Sequence, residues 1–430
     1  MKDRLLRLLR WSEKYTRTDM LYLAHGGFWT TLSYVFGVLA GLITTVALAN
    51  LIDPNTYGTY QFVLSIVAIL SVFTLTGMGL AVNRAVAQGR DGAFRYGVRT
   101  KLRWSIGITL AGAAVALYYY LNNNDTLALS ILLAGALSPF LVSFRLYEHY
   151  LSGKRLFRHA AIIEIVRKLL PFTALLTALF LTDNVTILVT TYFASNALSY
   201  LLAYYYVLRS YQPPFEPDPD AFTFSKHLSV MRVISTIASH ADKVLIWHFL
   251  GATAVATFTI AQLATRYSGG VLNAMTSIAL PKLAARDLST LQQTLPRKVL
   301  LFSGAMAIAA LSYILIAPFV FPLLFPLYPE AVPLTQLLAL TLLFVPRSLY
   351  SKALTAHACT RELYLLGIIN PTIKLTALAV CLPLFGLWGA VYAFIISGAL
   401  EAMVVYVLFK RATPKKVPAA DPDAAHANQE

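Results

Sequence analysis

Twelve long apolar stretches, joined by turns in which basic residues occur only on alternate connections, restrict this chain to very few architectures. The stretches are 28–50, 58–82, 104–120, 126–147, 160–181, 185–208, 227–249, 253–277, 299–325, 331–349, 363–382 and 387–409. The alternate turns 51–57, 121–125, 182–184, 250–254, 327–330 and 384–386 hold no Lys or Arg. The intervening connectors are basic: Arg84, Arg90, Arg95, Arg99, Lys101 and Arg103 in one, then Arg145, Lys154, Arg155 and Arg158 in the next. Retention of Lys and Arg on the cytoplasmic side makes this alternation a topology signal. It predicts an all-α polytopic membrane protein with twelve transmembrane helices and both termini cytoplasmic. Outer turns of a few residues leave no room for an extracytoplasmic active site, so the function is expected between the helices.

Composition agrees. Hydrophobic residues make up 57% of the chain and charged residues only 13%, where a soluble domain carries about 25% charge. Each stretch is long enough to cross ~30 Å of hydrocarbon. The net charge of +15 would point to nucleic acid in a soluble protein. Here topology and attraction to anionic inner-leaflet lipids account for it, and no nucleic-acid partner is expected. Cys359 and Cys381 fit no metal or redox spacing and read as packing residues. At the N-terminus, Leu5, Leu6, Leu8, Leu9 and Trp11 alternate with Arg4, Arg7, Arg10 and Lys14, the pattern of a helix lying on the inner membrane surface rather than of a cleaved signal. The Pro-, Ala- and Asp-rich tail reads as disordered.

The longest polar connector, with Pro213, Pro214, Pro217, Pro219, Glu216, Asp218 and Asp220, divides the chain into two groups of six spans. The expected organisation is an interfacial segment at 1–24, an N-terminal six-helix lobe at 25–209, a cytoplasmic linker at 210–226, a C-terminal six-helix lobe at 227–410 and a tail at 411–430. Segment 50–60 (NLIDPNTYGTY) matches 248–258 (HFLGATAVATF) in position and shape. Each joins the first two spans of its half, which suggests a parallel repeat of the two lobes, an arrangement that encloses a site near the membrane midplane. Gly37 and Gly41 permit close helix approach. Pro139, Pro171, Pro318, Pro322, Pro346 and Pro371 mark spans where a kink is expected.

Charges within a span are costly and are default candidates for a substrate or ion pathway. Lys374 and Arg266 lie near the middle of the eleventh and eighth spans, and His240, Asp242 and Lys243 lie past the middle of the seventh. Glu164, Arg167 and Lys168 share one helical face of the fifth at i, i+3 and i+4. Arg232, Arg347 and Glu401 complete the set. The balance is cationic and suits an anionic substrate, Arg offering a fork to phosphate and Lys a point charge. The competing explanation is pairing, of Glu164 with Lys168 and of Asp242 with Arg266 or a neighbour, together with snorkelling of Arg167, Lys168, Arg232 and Arg347 to the inner surface. Asn196, Asn370, Tyr34, Tyr192 and Tyr267 offer neutral contacts to sugars. No P-loop, HExxH or paired acidic loop motif occurs, so neither ATP hydrolysis, a metal nor another cofactor is expected.

The block 51–70 (LIDPNTYGTYQFVLSIVAIL), followed by 76–87 (TGMGLAVNRAVA), resembles the opening of polysaccharide-biosynthesis membrane proteins. These are the lipid-linked oligosaccharide flippases of the multidrug/oligosaccharidyl-lipid/polysaccharide exporter superfamily. Segment 242–252 (DKVLIWHFLGA), running to Leu280-Pro281, resembles that family's seventh and eighth spans, and 150–154 (YLSGK) its turn after the fourth. The second half departs at Val255-Ala256, where Tyr-Gly or a similar pair is expected. The resemblance implies a two-lobe, twelve-helix transporter of the cytoplasmic membrane. It would move an isoprenoid-pyrophosphate-linked oligosaccharide outward by alternating access around a cationic cavity. In that frame Lys374 and Arg266, with Lys243, Lys168 and Arg167, hold the headgroup. Glu164, Asp242 or His240 carries a coupling proton or Na⁺, and the chain works as a monomer among membrane lipids. A multidrug or organic-cation antiporter of the same superfamily would show more acid than base in the cavity. A polysaccharide polymerase or ligase would need a sizeable outward loop. A peptidoglycan-precursor flippase would show further spans.

Overall fold

A computed structural model describes residues 20–263, 265–266, 283–284 and 286–413. The expected interfacial helix before residue 20, Tyr267, Leu280-Pro281 and the tail from residue 414 lie outside the described residues. Among the described residues all regular structure is helical. The first span is Met20–Leu51. The second is Pro54–Leu70 continued, after a 3-10 turn, by Met78–Ala87. The third is Ala93–Trp104 and Ile106–Leu121, and the fourth Asp125–Phe144 and Leu146–Gly153. The fifth to seventh are Phe157–Leu181, Val185–Tyr211 and Pro219–Leu250, and the eighth opens with Ala252–Ala261. The ninth is Leu288–Leu324. The tenth joins Ala331–Leu338, the 3-10 segment Ala339–Arg347 and Ser348–Ala356. The last two spans form one run, Thr360–Arg411, folded back at Gly386.

By length and composition, eight described stretches are apolar enough to cross a membrane, one of them the 52-residue run that Gly386 divides into two. The fifth and seventh spans fall outside that set because they carry Arg158, Glu164, Arg167 and Lys168, and Asp220, Lys226, Arg232, Asp242 and Lys243. These passes hold the candidate site. Large apolar side chains face outward along the spans, with Phe319 and Leu323 each 80% exposed. In water such a surface would drive association; in a bilayer it is solvated.

The tight outer turns follow from their capping residues. Asp53, ahead of Pro54, accepts the Asn55 amide. Asn124 accepts that of Leu127, and Asn184 those of Thr186 and Ile187. Each satisfies helix-start donors that the bilayer cannot. Gly386, at φ +57° and ψ −138°, makes the last outer turn in a conformation that L side chains rarely adopt.

Several spans are broken where the sequence reads continuous helix. The second opens at Thr74, which is extended and whose hydroxyl donates to the Ser71 carbonyl. Gly77 beyond it donates its amide to Ser229 Oγ of the seventh span at 2.9 Å. Of the prolines read as kink sites, Pro346 falls in a 3-10 segment, whereas Pro139 and Pro171 sit inside continuous α-helix. The seventh helix starts at Pro219, inside the stretch read as linker, and leaves residues 212–218 as the non-helical connection.

The core shows how the lobes are arranged. One apolar cluster joins the outer ends of both, including Leu48, Tyr57, Phe62, Ile246, Phe258, Phe325, Tyr328 and Leu382. The inner ends have separate cores, one around Met78, Phe94, Tyr147 and Val207, the other around Leu291, Tyr350, Leu366 and Phe409. Among the described residues the lobes therefore share one core on the outer side and keep separate cores on the basic, cytoplasmic side, where only the inner end of the seventh helix packs on the N-terminal core.

Candidate functional site

The i, i+3, i+4 face of the fifth span forms as the spacing predicts. Arg167 donates Nε and Nη2 to the two carboxylate oxygens of Glu164 at 2.9 and 2.7 Å. Lys168 Nζ lies 3.1 Å from Glu164 Oε1, and the Tyr147 hydroxyl donates to Oε2 at 3.0 Å. The Arg167 guanidinium lies 4.0 Å from the Tyr200 ring centroid, a cation–π placement. Gly37 of the first span is where the Lys168 ammonium rests, so the small residue makes room for a charge rather than for a backbone. One carboxylate here serves two cations. Arg167 is buried and Lys168 is partly open.

The second cluster belongs to the C-terminal lobe. Asp242 is buried; Oδ2 accepts from Gln262 Nε2 at 2.9 Å and Oδ1 from the Lys243 amide at 3.0 Å. Among the described residues it forms no ion pair with Arg266, the partner weighed from sequence. Lys243 Nζ instead donates to Gln61 Oε1 of the second span at 3.0 Å. Lys374 Nζ lies 4.6 Å from the Phe394 ring centroid. Arg266 is exposed, and neither it nor Lys374 has a carboxylate within ion-pair distance among the described residues. His240 is half-buried, and Asp242, Lys243, Lys374 and Arg266 all lie within electrostatic reach of its ring. These five chemical groups share one region.

Tyrosines connect the two clusters. Tyr60 and Tyr192 meet edge to face at 6.1 Å. Arg266 lies near both rings, and Arg167 and Arg145 near that of Tyr192. At 1.5 Å rise per residue, Lys168 and Lys374 each lie roughly 20 Å below the outer end of their spans, a little past the midplane of a core of about 30 Å. Arg347 is placed otherwise: it pairs with Glu401 and donates to the Gly398 carbonyl, bracing the tenth span against the twelfth. Arg232 is exposed with no ion pair among the described residues.

Above this region the lobes close against each other. From the outside inward, Asn50 Nδ2 donates to the Leu324 carbonyl at 2.8 Å and Tyr57 meets Tyr328 edge to face at 6.5 Å. Gly58 lies against the Ala252 carbonyl, and Phe62 stacks on Trp247 at 4.4 Å. The two segments of weak internal similarity thus meet each other across the lobe junction. Gln61 and Gln262 were not singled out in the sequence; an amide inside an apolar stretch was their only signal.

The model of the polysaccharide biosynthesis protein family matches residues 23–285, more than half of the chain. The chain belongs to that family. No curated protein matches it. Among solved structures, a MOP superfamily transporter from Pyrococcus furiosus, whose reverse binding-pocket polarity suggests a different function, superposes at TM-score 0.66 with 14% identity over 90% of this chain and 94% of that one. An inward-facing multidrug resistance MATE family transporter of the same superfamily gives 0.65 at 15% identity over 86% and 93%. An outward-facing one gives 0.63 at 15% over 90% and 94%. At such identity the likeness concerns the fold: this polysaccharide biosynthesis family member is a multi-pass membrane protein with the two-lobe MOP architecture.

Proposed function

We propose that this protein is a flippase that carries an isoprenoid-(pyro)phosphate-linked oligosaccharide across the cytoplasmic membrane for cell-surface polysaccharide synthesis. The observation that supports this most is the unmatched positive charge within the spans, of which Lys243 stands at the lobe junction. Lys243, Arg266 and Lys374 have no carboxylate in ion-pair contact among the described residues, while Glu164 is already shared by Arg167 and Lys168. Unpaired cations at membrane depth are expensive unless an anion or water meets them. A diphosphate supplies the anion: Arg266 presents a fork to it and the two lysines point charges. One core shared by the outer ends and separate cores at the inner ends favour entry of the headgroup from the cytoplasm, with the isoprenoid chain remaining in lipid. Family membership supports a role in polysaccharide assembly.

For ion coupling, Asp242 is better suited than Glu164. It takes one neutral amide and one backbone amide, whereas Glu164 is held by three side-chain donors. His240 stands beside it for proton exchange. Flipping of a fluorescent lipid-diphosphate oligosaccharide by proteoliposomes tests the reading. Lys374→Ala and Arg266→Ala are each expected to lower the rate at least about tenfold, the scale of one charge-assisted contact. Wild-type rates in both variants would sink the headgroup assignment. A drug-antiporter reading is favoured only by the multidrug MATE structures of the same fold; efflux of a cationic dye without glycan flipping would select it.

A further inference from the structure

We infer that the Lys243–Gln61 hydrogen bond is a latch between the lobes, and that an anionic headgroup releases it by taking the Lys243 ammonium. The inference rests on the proposed function for the nature of the anion, but the latch itself is a property of the fold. Gln61 is 6% exposed on the second span, seven residues inside its start at Pro54. Lys243 is seven residues inside the outer end of the seventh span at Leu250. The bond of 3.0 Å therefore lies in the inner part of the outer seal, beside the Phe62–Trp247 stack. It is an unequal pair, a full positive charge held by a neutral amide oxygen. The adjacent Asp242 carboxylate is turned to Gln262 and to the Lys243 backbone amide. Lys243 is partly accessible, and Arg266 lies within electrostatic reach of it.

An anion drawn in by Arg266 thus meets a second cation whose present partner carries no opposing charge, so a phosphate oxygen adds a direct ion–ion attraction that the Gln61 amide cannot supply. When Lys243 turns to the headgroup, Gln61 loses its donor. The seal is left with the shared apolar core, its ring contacts, the Asn50–Leu324 bond and the Gly58–Ala252 approach, and without its one charge-assisted side-chain bond among the described residues. No ion pair joins the outer ends among the described residues. Arrival of cargo would thereby weaken the closure that must open to release it. Gln61 acts through Lys243 and is a positioning residue.

The test places spin labels at Asp183→Cys and Glu330→Cys, on outer turns of the two lobes, with Cys359→Ala and Cys381→Ala, in nanodiscs. Distance distributions are recorded with and without farnesyl diphosphate, and binding of the same probe is measured separately. Gln61→Leu and the closer isostere Gln61→Met are expected to raise the long-distance population at least about tenfold without ligand, the scale of a lost charge-assisted bond. Gln61→Glu, which turns the latch into an ion pair, is expected to stay closed at probe concentrations that open the wild type. Thermal melting confirms that each variant is folded. Unchanged distances in both Gln61→Leu and Gln61→Met, or ligand-driven opening of Gln61→Glu equal to wild type, would overturn the latch. Binding of the probe without movement of the outer ends would overturn its release by an anion and leave the proposed function standing. Absence of binding would count against the headgroup reading, while the ligand-free variants still decide the latch.

Discussion

At the residue scale, the informative contrast is between charges that have partners and charges that do not. Arg167 and Lys168 share Glu164, so Glu164→Gln leaves a buried guanidinium short of its anion. A loss of about 3 kcal/mol is expected, since removing one side of a buried pair strands the other; chemical unfolding in detergent would measure it. Lys374→Met removes no ion pair and should leave the melting temperature near wild type while lowering flipping. That separation of stability from transport is the signature of a substrate-facing charge. Glycines divide in the same manner. A Cβ at Gly37 meets only the flexible tip of Lys168, but one at Gly58 meets the Ala252 backbone, which has no rotamer to escape into. Gly58→Ala should therefore cost about 1–3 kcal/mol by overpacking, read as a lower melting temperature in detergent, whereas Gly37→Ala should leave the melting temperature near wild type.

At the element scale, the seventh helix carries the connection between the lobes. Its inner end is fastened to the N-terminal lobe: Arg90 donates to both Asp218 oxygens at 2.8 Å, Arg95 and Arg99 lie over the Phe215 ring, Arg84 over Phe224, and Gly77 bonds Ser229. Its outer end carries Asp242, Lys243 and Trp247 at the lobe junction. The basic connector after the second span, read from sequence as a topology signal, thus also binds the linker. Arg90→Ala exposes that linker, and cleavage after Glu216 by a glutamate-specific protease should accelerate severalfold. The helix was legible from its apolar run, but its first turns from Pro219 read as linker. Its inner docking was not, because it depends on Thr74 breaking the second span more than a hundred residues earlier in the chain.

At the scale of the whole molecule, the lobes share one outer core and keep two inner ones, and on the proposed function a headgroup enters from the cytoplasmic side. Charge then couples to voltage. Each net negative charge moved outward gains about 2.3 kcal/mol per 100 mV of inside-negative potential. Flipping by proteoliposomes under a potassium diffusion potential should accelerate when the interior face is negative and slow when the sign is reversed; indifference to sign would indicate an electroneutral cycle coupled to an ion at Asp242 or Glu164.

The sequence by itself determined the number of passes, their sidedness and the family, because hydropathy and the one-sided placement of Lys and Arg are local properties that the bilayer reads residue by residue. It also determined the Glu164–Arg167–Lys168 face, since helical spacing alone brings those three together. Only the tertiary structure decided which deep charges are spent. That Asp242 turns to Gln262, that Arg347 braces against Glu401, and that Lys243 reaches across to Gln61 all depend on helices adjacent in space and distant in sequence. In a low-dielectric interior a charge takes whatever partner packing brings within about 3 Å, and no periodicity along the chain encodes that neighbour.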